Sequence, residues 1–158
     1  MKIACITVFC NEKFRLDNWK YYFSEYKDDI SMHVIVNNGN KEDTKILHEI
    51  FPDSIILESE GSNLVRAYNI GTKYILKDKS IDAIMQITND IKFKKGGIAE
   101  LYKLLYSDKN IAVSGPVLLE KDSNRVEVFG IDVKNNDLIR GHQFFPYRGG
   151  KSKILLIL

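Results

Sequence analysis

Four short runs of amides and carboxylates follow apolar stretches of this chain: Cys10-Asn11-Glu12, Asn37-Asn38-Gly39-Asn40-Lys41-Glu42-Asp43-Thr44, Gly61-Ser62-Asn63 and Thr88-Asn89-Asp90. An amide side chain carries both donors and an acceptor, and a carboxylate such as that of Asp90 adds a charged oxygen acceptor, so each run can bind a polar ligand. Each run also has a local role open to it. Asn and Gly tolerate the positive φ of a tight turn, Asp43-Thr44 stands where a helix cap belongs, and Asn89-Asp90 can end a strand by bonding its own backbone.

The elements that must position these runs alternate along the chain. Apolar, β-rich stretches at Lys2 to Phe9, Met32 to Asn37, Ser54 to Glu58, Ala83 to Thr88 and Ile111 to Pro116 read as strands. Between them Phe14 to Tyr26, Lys41 to Phe51, Asn63 to Leu76 and Gly97 to Tyr106 carry a helical period. In the third of these, Leu64, Ala67, Tyr68, Gly71, Tyr74 and Ile75 fall on one face, ready to lie on a sheet. Strand and helix alternating in this way predict an α/β sandwich with parallel strands. Ligands of such sheets bind beyond the carboxyl ends of the strands, where the polar runs lie. After Pro116 the rhythm changes: Arg125 to Val133 and Leu138 to Phe145 are strand-like around Lys134-Asn135-Asn136-Asp137, which predicts an antiparallel hairpin and hence a mixed, mainly parallel sheet.

Composition removes several classes of function. The 158 residues are 44% hydrophobic and 28% charged, ordinary for a globular domain and enough for one sizeable core. Basic residues number 23 and acidic ones 21, spread along the chain for a net charge of +2, so no basic stripe stands ready for a nucleic-acid backbone. The two cysteines, Cys5 and Cys10, lie in the first apolar run and suggest neither a disulfide framework nor a zinc site. That run, Met1 to Cys10, is followed at once by Asn11-Glu12-Lys13 without a small-residue cleavage site and reads as a buried strand. No apolar stretch approaches the ~20 residues that span a bilayer. A cytoplasmic protein, at most peripheral at a membrane, is expected.

Taken together, the order of motifs from Lys2 to Phe145 resembles the nucleotide-diphospho-sugar transferases of the GT-A fold, specifically glycosyltransferase family 2 and its rhamnosyltransferase-like branch. Val34-Ile35-Val36-Asn37-Asn38-Gly39-Asn40 is similar to that family's strand and Val-Asp-Asn-Gly-Ser type loop, which contacts the nucleoside, with Asn37 standing where Asp is usual. Asn63 and Arg66-Ala67-Tyr68-Asn69-Ile70-Gly71 resemble its Ala-Arg-Asn-x-Gly helix near the donor diphosphate, with Tyr68 where Arg is common. Arg66 is two residues away, about 200° round a helix, and so faces elsewhere. Ile87-Thr88-Asn89-Asp90 occupies the place of the Asp-x-Asp metal motif, with Thr88 in place of the first acid. Gly115-Pro116-Val117-Leu118-Leu119 and Phe129-Gly130-Ile131-Asp132 resemble the segment that follows in the rhamnosyltransferase-like members.

The resemblance implies a single donor-binding domain over residues 1–158. It implies nucleotide-sugar contacts from Thr7, Phe9, Asn11, Asn37, Asn38, Asn63, Asn69, Asn89 and Asp90, with Mn2+ or Mg2+ held by Asp90. It also implies transfer of a sugar from a nucleoside diphosphate donor to a glycan, lipid or protein acceptor. Transfer needs a general base for the acceptor hydroxyl, which the family supplies from an acidic motif further on. After Phe145 come Pro146-Tyr147-Arg148-Gly149-Gly150 and an apolar end, with no acid, so the acceptor-side region is expected to be lacking. A nucleotide-sugar-binding or assembly module without turnover is therefore the alternative. A sugar-phosphate nucleotidyltransferase ranks last, because Phe9-Cys10-Asn11-Glu12-Lys13 lacks the glycines of a phosphate loop. The apolar end Ile154 to Leu158 is of a kind that docks as an added strand, which makes a homo-oligomer an open expectation.

Overall fold

A computed structural model describes residues 1–59, 61, 63–111 and 114–116, together with the backbone of 118–119, 126–128, 131–134 and 137–140. Two compact units are present, Met1–Ile98 and Ala99–Leu158.

In the first unit strands and helices alternate as β1 (Ile3–Phe9), α1 (Leu16–Tyr26), β2 (Met32–Asn37), α2 (Asp43–Ile50), β3 (Ile55–Glu58), α3 (Leu64–Ile75) and β4 (Ala83–Ile87), and 3-10 turns at Lys13–Arg15 and Lys27–Asp29 flank α1. The four strands pair in the order β3-β2-β1-β4, every pair parallel. Ile6 of β1 stands level with Val34 of β2 and with Gln86 of β4.

Both faces of β1 are covered, which is why its seven residues are all buried instead of alternating. On one face Ala4, Ile6 and Val8 pack with Val34 and Val36 against Ala67 and Ile75 of α3, whose inner stripe recurs every four residues. Gly71 belongs to that stripe: a Cβ there would lie 2.9 Å from a methyl of Ile6 and 3.3 Å from one of Val36, so the helix approaches the sheet closely only with glycine at this position. Leu64, read as part of the same face, is 53% exposed, because it sits in the first turn and the packed stripe begins at Ala67.

On the other face Phe9 and Ile35 meet Leu16 and Trp19 of α1, Leu47 of α2 and Phe51. Trp19 packs on Phe51 with ring centroids 4.3 Å apart. His33 lies in this aromatic layer, stacked on Phe23 at 4.3 Å, with Nδ1 2.8 Å from Ser54 Oγ and Nε2 3.2 Å from Thr7 Oγ1. The ring thus ties β1 and β2 to the turn before β3. Cys5, 4.0 Å from the same hydroxyl, is buried and its thiol is pushed up to about 12, so it packs as a small apolar side chain, whereas Cys10 is exposed.

The second unit holds the backbone strands β5 (Leu118–Leu119), β6 (Val126–Val128), β7 (Ile131–Lys134) and β8 (Asp137–Arg140). β5 pairs antiparallel with β6, and β7 with β8. The helix α4 (Gly97–Leu105) begins in the first unit. The four-stranded sheet is parallel throughout, and the described strands after Pro116 form two antiparallel pairs. Of the strand expected at Ile111 to Pro116, residues 112 and 113 lie outside the described residues and the remainder is not strand. The apolar end from Ile154 also lies outside the described residues.

Burial lowers His33 from its ordinary 6.5 to about 3. The unfolded chain therefore takes up a proton near 6.5 that the folded chain refuses until about 3. The stability contributed by neutral His33 is complete above that upper value and is lost as pH falls below it, by at most about 1.4 kcal/mol per pH unit. Urea unfolding followed from pH 7.5 down to 4.5 checks this: His33→Phe should lose that component of the slope, and an unchanged slope would remove His33 as its source.

Candidate functional site

The order β3-β2-β1-β4 places a reversal of winding at β1. From β1 the chain moves outward through β2 to β3 with α1 and α2 on one face, then returns by α3 across the other face to β4. In open parallel sheets the crevice beyond the carboxyl ends of the two strands at such a reversal is where ligands bind. Here those strands are β1 and β4, followed by Cys10-Asn11-Glu12 and Thr88-Asn89-Asp90.

A charged clasp joins the two loops. Arg15 Nη1 donates to Asp90 Oδ2 at 2.8 Å and lies 3.4 Å from Glu12 Oε1. Asn89 Nδ2 donates to Glu12 Oε2 at 2.7 Å, and Thr88 Oγ1 to Asp90 Oδ1 at 2.7 Å. All four carboxylate oxygens thus face a proton donor. Asn89 is buried at 3% exposure, while the Arg15 and Asp90 side chains keep 36% and 48% of their surface. The clasp therefore has a fixed inner end and an open outer one.

A second, largely neutral network joins β1 to β2 and β3. Asn11 adopts φ 59°, a left-handed conformation that Asn tolerates better than most residues, and its Oδ1 accepts from Asn40 N at 2.8 Å. A side chain at Gly39 would collide with Asn11, including its backbone N at 2.9 Å, so this contact requires glycine. Asn37, 2% exposed, spends its amide on its own loop. Its Nδ2 donates to Asn40 O at 2.8 Å and to Thr44 Oγ1 at 3.0 Å, and its Oδ1 accepts from Gly39 N at 3.0 Å. Thr44 in turn donates to Glu58 Oε1 at 3.0 Å. Beside them Asn38 is 4% exposed with its Oδ1 buried and without a hydrogen-bond partner among the described residues, as is Ser59 Oγ. Lys13 Nζ pairs at 2.7 Å with the buried Asp43, which holds the lysine above its ordinary value.

The candidate residues are thus divided among four places. Asn11, Asn38, Asn89 and Asp90 gather at the carboxyl ends of β1, β2 and β4. Asn37 is adjacent but serves as a loop clamp. Thr7 and Phe9, each 0% exposed, belong to the core on the α1 and α2 face, Thr7 bonded to His33 and Phe9 stacked on Trp19 at 6.2 Å. Asn63 caps α3 by accepting from Arg66 N at 2.9 Å, and with Asn69 it lines a shallow groove of about 370 Å³ that also takes in Val65, Arg66, Ile70 and Lys73. That groove is lined from α3 and its cap alone. Tyr68 packs into the core beside Ala67, while Arg66 faces the groove. Glu12 and Arg15 were absent from the sequence-derived set. Their one signal was a spacing of three residues at a helix entry, since the acid that completes the clasp lies 75 positions on.

This arrangement suits a divalent ion poorly. Arg15 Nη1 sits between oxygens of Glu12 and Asp90, at the point a bridging cation would take, and Thr88 supplies a hydroxyl where a second carboxylate would stand. Among the described residues no three of His, Cys, Asp and Glu gather into a metal-holding group, and no helix is long and apolar enough to cross a membrane.

No protein-family model matches the chain, and no curated protein matches it significantly. What fold and site define is an α/β domain with a parallel sheet and polar loops at its point of reversed winding.

The Asn37 network explains the amide at that position. Asp there would face the Asn40 carbonyl without a proton to give, inside a 2% exposed site. Asn37→Asp should destabilise the domain by about 2 to 4 kcal/mol at pH 7. Its carboxyl would be pushed up, so the deficit should shrink as pH falls through its raised value and the group is protonated. Denaturant unfolding of both proteins at pH 7 and pH 4.5 checks it; an unaltered midpoint at pH 7 would refute the clamp.

Proposed function

We propose that this chain binds the nucleoside diphosphate part of a nucleotide sugar beyond the carboxyl ends of β1, β2 and β4, as the donor-binding part of a glycosyltransferase of the GT-A, family 2 type. The observation that carries the reading is the coincidence of two features. Two of the three polar runs that resemble that family's donor motifs, Asn37-Asn38-Gly39-Asn40 and Thr88-Asn89-Asp90, follow β2 and β4 beside the sheet's point of reversed winding, where a ligand is expected on physical grounds.

The two networks suit the two ends of such a ligand. Near β2 the buried Asn38 Oδ1, without a partner among the described residues, is an acceptor that a base N–H or ribose hydroxyl would satisfy. Near β4 the Arg15 guanidinium is the member of the clasp that suits the phosphates. Sugar transfer breaks the bond between the anomeric carbon and the diphosphate oxygen while an acceptor hydroxyl attacks and gives up its proton. The acceptor remains a glycan, lipid or protein, and Mn2+ or Mg2+ at Asp90 is part of the family pattern.

A binding module without turnover is the second reading, favoured by a specific contact. Glu12 and Asp90, the two acids beside the crevice, both face Arg15, so neither stands free to take a proton.

Calorimetric titration of UDP, GDP and dTDP into the chain tests the shared core of both readings. At least one should bind, and Cys10→Trp, which fills the exposed position at the end of β1, should abolish that binding with an unchanged melting temperature. Binding unaffected by Cys10→Trp would move the site elsewhere. Hydrolysis or transfer of the sugar from the matching donor separates the enzyme from the module.

A further inference from the structure

We infer that the negative charge of a diphosphate bound in this crevice is met by the Arg15 guanidinium, and that binding needs no divalent cation. The inference rests on the donor-site reading above and concerns how that site handles charge.

Three observations lead to it. First, Arg15 Nη1 lies 2.8 Å from Asp90 and 3.4 Å from Glu12, so one positive group already bridges the two carboxylates that would have to bridge an ion. An incoming cation would meet that charge at close range and would have to displace it. Second, the other oxygens of these acids already accept hydrogen bonds: Glu12 Oε2 from the buried Asn89, and Asp90 Oδ1 from Thr88. A metal would have to displace Arg15 and share oxygens whose orientation those bonds already set. Third, Arg15 meets the acids through Nη1 alone among the described residues, and 36% of its side-chain surface is open. A guanidinium has five N–H donors in a planar fork, so Nε and Nη2 carry three that a phosphate can engage in pairs.

The acids then have a positioning role. Two carboxylates on one nitrogen fix the orientation of a long, flexible side chain, so less rotamer freedom is lost when a phosphate arrives. Asp90 also opposes the phosphate by its own charge, and its variant is informative through the metal: if an ion carried the binding, removing the Asp90 charge would abolish it, whereas with Arg15 carrying it binding persists without an ion.

The experiment is calorimetric titration of UDP, GDP and dTDP into the full chain in EDTA and in manganese, with wild type, Arg15→Met and Asp90→Asn. The Kd of the nucleotide that binds should agree within about twofold between EDTA and manganese in wild type. Arg15→Met should weaken it about ten- to a hundredfold, and Asp90→Asn, whose amide oxygen still accepts from Arg15, should keep its binding equal in EDTA and in manganese. Binding that appears only with manganese and disappears in Asp90→Asn would overturn the inference and leave the donor site standing, as would an Arg15→Met protein that binds like wild type. No binding of any of the three by wild type in either condition would instead overturn the donor reading, and this inference with it. The wild-type comparison needs no variant, and the melting temperature of each variant shows whether it is folded.

Discussion

The placement of β1 between β2 and β4, with helices on both of its faces, is the constraint on which the rest of the molecule depends. A strand enclosed on four sides cannot offer side chains to a ligand along its length, and all seven residues of Ile3–Phe9 are buried. Its chemistry is confined to where the backbone leaves the sheet. The same placement puts α1 and α2 on one face and α3 on the other, so the chain diverges at the carboxyl ends of β1 and β4, where ligands of such sheets bind. Packing of Trp19, Phe51 and His33 on one side and of Gly71 against Ile6 on the other therefore fixes that end of the sheet as much as any residue at it.

Two networks of different character meet there. On the β2 side amides dominate: Asn37 and Asn11 satisfy backbone groups of a sharply turned loop, and Asn38 keeps a buried acceptor with no partner among the described residues. On the β4 side charges dominate, closed into a circuit from Asn89 through Glu12 and Arg15 to Asp90 and Thr88. A ligand with a polar heterocycle at one end and phosphates at the other matches that division, which is the physical content of the proposed donor site. The α3 groove around Asn63 and Asn69 has cationic side chains but is shallow and lined from one helix, so it offers no comparable convergence.

Much of this fold could be read before any coordinates. Hydrophobic period placed Met32–Asn37 to the residue and the other strands and helices of the first unit within two or three positions, because each is a buried run bounded by turn formers. The position of the polar runs at strand ends followed from the same reading. What local pattern does not carry is which side of a fully enclosed strand a residue faces, and Thr7 and Phe9, which the resemblance sets among the donor contacts, point into the aromatic core. Nor does it carry partners distant in sequence: nothing around Arg15 announces Asp90, 75 residues on. Strand pairing after Pro116 is likewise a matter of tertiary choice, and the described strands there form two antiparallel pairs.

The central claim, that a nucleoside diphosphate sits beyond β1 and β4, is tested most directly by mapping amide chemical shifts of the isotopically labelled chain on addition of UDP, GDP or dTDP. The account predicts the largest changes at Asn11, Glu12, Asn38, Gly39, Asn89 and Asp90. Changes confined to Asn63, Arg66, Asn69 and Lys73 on α3, with the strand-end amides unmoved, would contradict it.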